Sequence, residues 1–308
     1  MDVSLSIVER NRLRINPGAA ALLGAMTIWG GSYVVAHLVL DSVGPFVLLF
    51  GRFLLAFAVL FPIARRAGFR MRMMFRRSFL IFGLTGFVLH LTFETTGLMF
   101  TTPGSAAIVI ATAPAVTLLV SVLFLNERLT PQRSLGIALS IAGALVVTGA
   151  RAGSAAGGAL IGNLLVFAGV LAWGVYTVQG KRLATDVPGV VATAASAGSA
   201  AMLIAPLALL EVAFGRVPDV NGGMVLGILY LGVLASAAAY GLWNVSLRYV
   251  DASVAGSFIN LVPVIGVILA IAVGEAMTAG QWAGAAIVAG GVWLTERSRR
   301  ATAVANAQ

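Results

Sequence analysis

Apolar residues along this chain collect into ten runs, at 18–40, 45–64, 78–98, 103–125, 132–150, 160–180, 189–212, 223–246, 252–273 and 280–296. Most match the roughly 20 helical residues that cross the hydrocarbon core of a bilayer. In hydrocarbon a helix satisfies its own backbone hydrogen bonds. The pattern therefore predicts an all-α membrane protein of ten transmembrane helices. The first run is longer than the apolar stretch of a signal peptide and no cleavage site follows it, so it reads as a retained helix.

Polar side chains inside the runs are few, and each is a candidate for function because charge in hydrocarbon is unfavourable. Run 2 carries Arg52, run 3 carries His90 and Glu94. In run 2 Phe46, Phe50, Phe53, Phe57 and Phe61 form one helical stripe pointing away from Arg52. That spacing predicts phenylalanines toward lipid and Arg52 toward the bundle. In run 3 Gly83, Gly86, His90, Glu94 and Gly97 share a face, the mark of a closely packed interior surface. Arg52 and Glu94 lie at similar depth, so Glu94 either pairs with Arg52 or meets a ligand or a coupled proton. His90 is either a packing residue or a hydrogen-bonding and proton-relaying group. Run 8 puts Ser236, Tyr240, Trp243 and Asn244 on one face, and run 9 puts Ser253, Ser257 and Asn260 on another. Trp29 and Tyr33 in run 1, with Trp173 and Tyr176 in run 6, sit too deep for an interfacial belt. They form either the walls of an aromatic chamber or core filling. His37, Trp282 and Trp293 lie near run ends and read as interfacial.

The chain repeats itself weakly. Ile28-Trp29-Gly30 matches Ala172-Trp173-Gly174, Asn126-Glu127-Arg128-Leu129-Thr130 matches Gly274-Glu275-Ala276-Met277-Thr278, and Pro114 in run 4 matches Pro263 in run 9. Gly136 and Gly143 correspond to Gly284 and Gly291. The expected organisation is a tail (1–17), a five-helix repeat (18–150), a flexible linker (151–159), a second five-helix repeat (160–297) and a second tail (298–308). Five is odd, so the repeats must enter the membrane with opposite topology. Such an inverted repeat has two related conformations, each open to one side, and a site at the repeat interface. Mid-run prolines free backbone carbonyls, so Pro114 and Pro263 mark either kinks or a paired hinge or gate. Gly158–Gly162, Gly223–Gly227 and Gly280–Gly284 permit close helix approach, within the chain or along a dimer seam at run 10. Monomer and dimer stay open.

Composition agrees: 59% of the 308 residues are hydrophobic and only 10% charged, with mean hydropathy +0.99. The absence of Cys excludes disulfides and thiolate chemistry. The net charge of +9 is a topology signal, not a nucleic-acid footprint. Of the 20 Lys and Arg, 17 fall at alternate connections and the tails, six of them between Arg65 and Arg77. By the positive-inside rule both termini are cytoplasmic, and the length and the lack of a Tat or organelle signal fit a multi-pass protein of a bacterial inner membrane. The 65–77 loop is also placed to touch anionic lipid headgroups. No phosphate-binding loop, H-E-x-x-H or G-x-S-x-G motif is present, so ATP drive and hydrolysis have no visible machinery. No cofactor, metal or catalytic residue is expected. A membrane enzyme would show clustered carboxylates, and a non-transporting receptor would need no mid-membrane polar lining.

Together the doubled Trp-Gly, the paired prolines and a Glu-Arg-Leu-Thr turn leading into a glycine-rich fifth run resemble the drug/metabolite transporter superfamily, EamA family, over nearly the whole chain. His90 followed by Phe93-Glu94-Thr95-Thr96-Gly97-Leu98-Met99-Phe100 is similar, more narrowly, to its exporters of aromatic and neutral amino acids. Ala276 departs from the pattern by replacing the Arg after the turn Glu. The resemblance implies a secondary transporter working by alternating access on a small molecule, with protons as a candidate coupling ion. It implies that His90, Glu94, Asn244, Ser257 and Asn260 meet a zwitterion, and Trp29, Trp173, Tyr240 and Trp243 its side chain. An exporter of drugs, organic cations or other small metabolites, with Glu94 as obligatory counter-charge, is the alternative.

Overall fold

The computed structural model describes residues 17–125, 130–149, 156–183, 187–246 and 258–305. Among the described residues there are ten helical rods and no strand. They are α1 (Pro17–Leu40), α2 (Pro45–Arg66), α3 (Arg77–Leu98), α4 (103–125), α5 (Pro131–Gly149), α6 (Ala156–Leu183), α7 (Gly189–Ala213), α8 (222–246), α9 (Leu261–Ala272) and α10 (Ala279–Ala305). The first eight are long and apolar enough to cross a membrane. The ninth expected run is visible only as the shorter apolar α9, because 247–257 lie outside the described residues. α6 begins at Ala156, inside the segment expected as linker. The protein is an all-helical, multi-pass membrane protein.

The packing has a simple rule. α1 packs on α8 as α6 packs on α3, α1 on α9 as α6 on α4, and α2 on α8 as α7 on α3. The pairs α2–α7, α4–α9 and α5–α10 map onto themselves when each helix is exchanged with the one five places on. Close approach is made by small residues. A Cβ on Gly143 would lie 2.7 Å from the Val288 nitrogen and 2.8 Å from the Gly284 carbonyl, and one on Gly291 would lie 2.6 Å from the Gly136 carbonyl. So 143 faces 284 while 136 faces 291, and α5 and α10 cross antiparallel. Gly97 and Gly162 make the same kind of contact between α3 and α6.

α4 is interrupted, and α9 begins, at equivalent places. α4 breaks at Ala111–Thr112 and resumes as Ala113–Leu125, with Pro114 in its first turn; α9 begins at Leu261 after a turn at 259–260, with Pro263 in its first turn. The prolines therefore start helices rather than kink them, in the position where a missing N–H is harmless. α3 and α8 each contain a π-helical stretch, Leu84–Leu89 and Tyr230–Ala238, of the kind often found at functional sites.

The phenylalanine stripe of α2 faces the protein, not lipid. Phe53 is fully buried and edge-on to Phe87, while Phe57 and Phe61 pack on Phe69. Leu54, Val59 and Ile63 are its exposed large apolar side chains. Lipid tails and a protein core are equally apolar, so periodicity alone does not separate the two faces.

At the end of the bundle where α1 joins α2, side chains from beyond residue 200 tie down helix N-termini. Glu211 Oε2 accepts from the backbone N–H of Phe46 (3.0 Å) and Val47 (2.9 Å). Gly274, with φ +97, closes α9 and places Glu275 so that its Oε2 accepts from Gly104 N–H at 2.9 Å. The Asp219 N–H donates to Ser42 O at 2.8 Å and Asn221 Nδ2 to Ser42 Oγ at 2.9 Å.

Candidate functional site

The α4 break, the start of α9, α1, α2, α3, α6 and α8 converge on a cavity of about 70 Å³, room for several waters. Of the residues singled out above, Trp29, Tyr33, Arg52, His90, Glu94, Pro114, Trp173, Tyr240, Asn260 and Pro263 all line it. Tyr176 does not: it stacks on Phe82 at 4.2 Å and lies against Gly86, behind Trp173. Trp243 backs Trp29, ring centres 5.9 Å apart. Ser257 lies outside the described residues, and only the backbone of Asn244 is described.

The aromatic wall is one connected cluster. Trp29 is edge-on to Tyr240 at 5.1 Å and to Trp173 at 6.4 Å, and Tyr240 stacks on Phe87 at 5.2 Å. Rings prefer these offset and edge geometries. The Trp29 indole N–H donates to the Ala235 carbonyl at 2.9 Å, and the Tyr230 hydroxyl donates to the Ile28 carbonyl at 2.7 Å. Both contacts join α1 to the π-helical stretch of α8.

The charged groups occupy the same cavity. His90 Nδ1 lies 3.0 Å from the Gly169 carbonyl. A carbonyl only accepts, so Nδ1 carries the hydrogen. His90 Nε2 then faces Glu94 Oε2 at 3.7 Å, and a proton on either partner makes the contact favourable. Gly169 is required for this fit, since a Cβ there would stand 2.9 Å from the His90 carbonyl.

Arg52 and Glu94 are not within ion-pairing distance of each other, in contrast to the direct pair considered from the sequence. Arg52 is turned by its Nε–H, which donates to Ser236 Oγ at 2.6 Å, and Glu94 by His90. Ser236 had been visible only as one member of a polar face. Nothing in the sequence announced that it would hold Arg52, because the pair spans 184 residues and depends on how the halves dock. Ser32 was also missed; its hydroxyl donates to the Trp29 carbonyl at 2.6 Å. His37, expected at the interface, sits with Nδ1 3.0 Å from the Leu98 carbonyl. No cluster of metal-ligating side chains occurs among the described residues.

The chain is similar along most of its length to known membrane transporters. It is 28% identical over 287 residues to a probable amino-acid metabolite efflux pump of Salmonella typhimurium, covering 90% of this chain and 93% of that one. It is 27% identical over 281 residues to the uncharacterized inner membrane transporter YedA of Escherichia coli K12, covering 86% of each. A solved crystal structure superposes with a TM-score of 0.65 at 25% identity, covering 92% of this chain and 98% of the other. The narrower likeness to exporters of aromatic and neutral amino acids is not singled out by these similarities. The relatives are transporters, not enzymes. The sequence pattern of the EamA-like transporter family matches twice, at residues 16–149 and 160–297, and the chain belongs to that family, within the drug/metabolite transporter superfamily.

Proposed function

We propose that this protein exports neutral and aromatic amino acids, or metabolites of the same build, across a bacterial inner membrane by alternating access. The observation that carries this reading is the cavity itself: charged and aromatic, at mid-bundle, and walled by the α4 break and the start of α9. The exchange rule in the packing and the antiparallel α5–α10 crossing support ten spans arranged as two inverted five-helix repeats, 18–150 and 160–297, with both termini cytoplasmic. In that topology the Glu211 and Glu275 ties lie on the outer face. The chamber is small as it stands. Admitting an amino acid requires it to widen, and the turns beside Pro114 and Pro263 are where α4 and α9 give. The S. typhimurium relative, described as a probable amino-acid metabolite efflux pump, supports the substrate class.

Counterflow in proteoliposomes tests the reading. Vesicles are preloaded with unlabelled threonine, methionine or phenylalanine, and entry of the labelled form is followed without a pH gradient. Uptake above empty vesicles, lost in His90→Ala and Trp173→Ala, is the expected result. Vesicles that accumulate a lipophilic quaternary cation and no amino acid would overturn the substrate class.

A further inference from the structure

Arg52 and Glu94 are both buried, at 4% and 6% exposure, and both line the chamber. They are not paired with each other. Arg52 spends its Nε–H on Ser236. Among the described residues its two terminal nitrogens have no hydrogen-bond partner, and neither is sealed from the cavity. Among the described residues the one ionisable side chain within 4 Å of the Glu94 carboxylate is His90, and Arg52 acts on it from farther off. A buried charge lacking a partner is strongly unfavourable, and structural ion pairs avoid that state by closing on each other. Here each charge is held back by a side contact, and both are left facing one small space.

We propose that Arg52 is the receptor for the carboxylate of the transported molecule and Glu94 the receptor for its ammonium group, so that the chamber selects α-amino acids as zwitterions. This rests on the reading of the chamber as the transport site. With Nε occupied, the end of the guanidinium remains, and its two terminal nitrogens offer parallel N–H donors that match a carboxylate. Ser236 is the positioning residue that aims this fork, and it belongs to α8 while Arg52 and Glu94 belong to α2 and α3. Other classes fit worse. An organic cation would satisfy Glu94 beside an uncompensated guanidinium, an anion would do the reverse, and a neutral molecule would leave both charges unmet. The aromatic wall of Trp29, Trp173 and Tyr240 then meets the side chain.

Competition against labelled phenylalanine in the counterflow assay tests this on the unaltered protein. Phenethylamine lacks the carboxylate and 3-phenylpropionate lacks the ammonium; each should compete at least about tenfold less well than phenylalanine. Variants then assign the halves. Arg52→Gln should raise the KM for phenylalanine about 10- to 100-fold and leave competition by phenethylamine unchanged, with partial recovery in Arg52→Lys. Glu94→Gln should spare 3-phenylpropionate. Ser236→Ala should raise the phenylalanine KM by about fivefold and Ser236→Thr should restore it. If phenethylamine competes as well as phenylalanine, or Arg52→Gln weakens phenylalanine and phenethylamine equally, the assignment is wrong while the transport reading stands. If the wild type moves neither phenylalanine, methionine nor threonine, both fall together.

Discussion

The α5–α10 crossing and the central chamber are built from opposite materials. The crossing is backbone against backbone, with Gly143 on Gly284, Gly136 on Gly291, and Val147 and Val288 buried beside them. The chamber holds buried charges, linked aromatic rings and a broken helix. One region is made so that nothing fits between the helices, the other so that something does. Lipid gives helices no hydrophobic reason to associate, so close packing of small residues must hold the crossing together. The chamber is then free to hold an interrupted helix and buried charges that are not in contact.

If that division holds, substitutions in the two regions fail differently. Gly143→Val is the largest expected effect. Its new atoms would meet the Val288 nitrogen and the Gly284 carbonyl, which are backbone and cannot rotate away. Overpacking of this kind costs about 1–3 kcal/mol, so thermal unfolding in detergent should fall by roughly 2–5 °C. Gly290→Ala, on the same helix with nothing within 4 Å of its Cβ, should leave unfolding unchanged or slightly raised. Trp173→Ala, by contrast, should abolish uptake while the protein still runs as a single species. A Gly143→Val protein as stable as wild type would show that the crossing does not hold the bundle together.

How much of this could be read before folding follows the same division. The rods, the paired prolines and the repeat were legible, because hydrophobic run length and internal similarity are local properties. So were ten lining residues of the chamber, since a charge, an aromatic at mid-depth or a proline is conspicuous inside an apolar run. The orientation of the phenylalanine stripe was not, because lipid and core are equally apolar. The Arg52–Ser236 bond, the Trp29–Ala235 bond and the carbonyl of Gly169 under His90 were not, because each joins residues about 80 to 206 apart. Nor were the π-helical stretches, where ordinary residues such as Leu84–Leu89 and Tyr230–Ala238 carry no distinct signal. What was missed is therefore what holds the conspicuous residues in place.

Within the chamber, Nδ1 of His90 is committed to Gly169 and Nε2 faces the Glu94 carboxylate at 3.7 Å, the two titratable groups that a coupled proton would use. A coupled transporter would load and unload that proton as the chamber changes sides. Uptake driven by an imposed pH gradient should therefore be lost in the double variant His90→Ala, Glu94→Gln. Gly169→Ala should weaken it less, by pushing α6 off His90 without removing a titrating group. Full gradient-driven uptake in the double variant would rule out coupling through this pair.

The smallest effect belongs to the ties between bundle halves, where part-buried carboxylates cap helix ends. Glu275 caps the start of α4 through Gly104 N–H, much as Glu211 caps α2. A carboxylate at a helix N-terminus contributes about 1 kcal/mol, so removing it should shift an open–closed equilibrium by roughly fivefold. The chain has no cysteine, so Ser32→Cys places a single thiol in the chamber lining. Its reaction with an impermeant maleimide added from outside reports how often the outer face opens. In that background Glu275→Ala should raise the labelling rate about fivefold, and Glu275→Gln, which keeps the acceptor and loses the charge, should raise it less. Equal rates in all three would mean that these contacts only finish helix ends, and that the outer closure is held by packing alone.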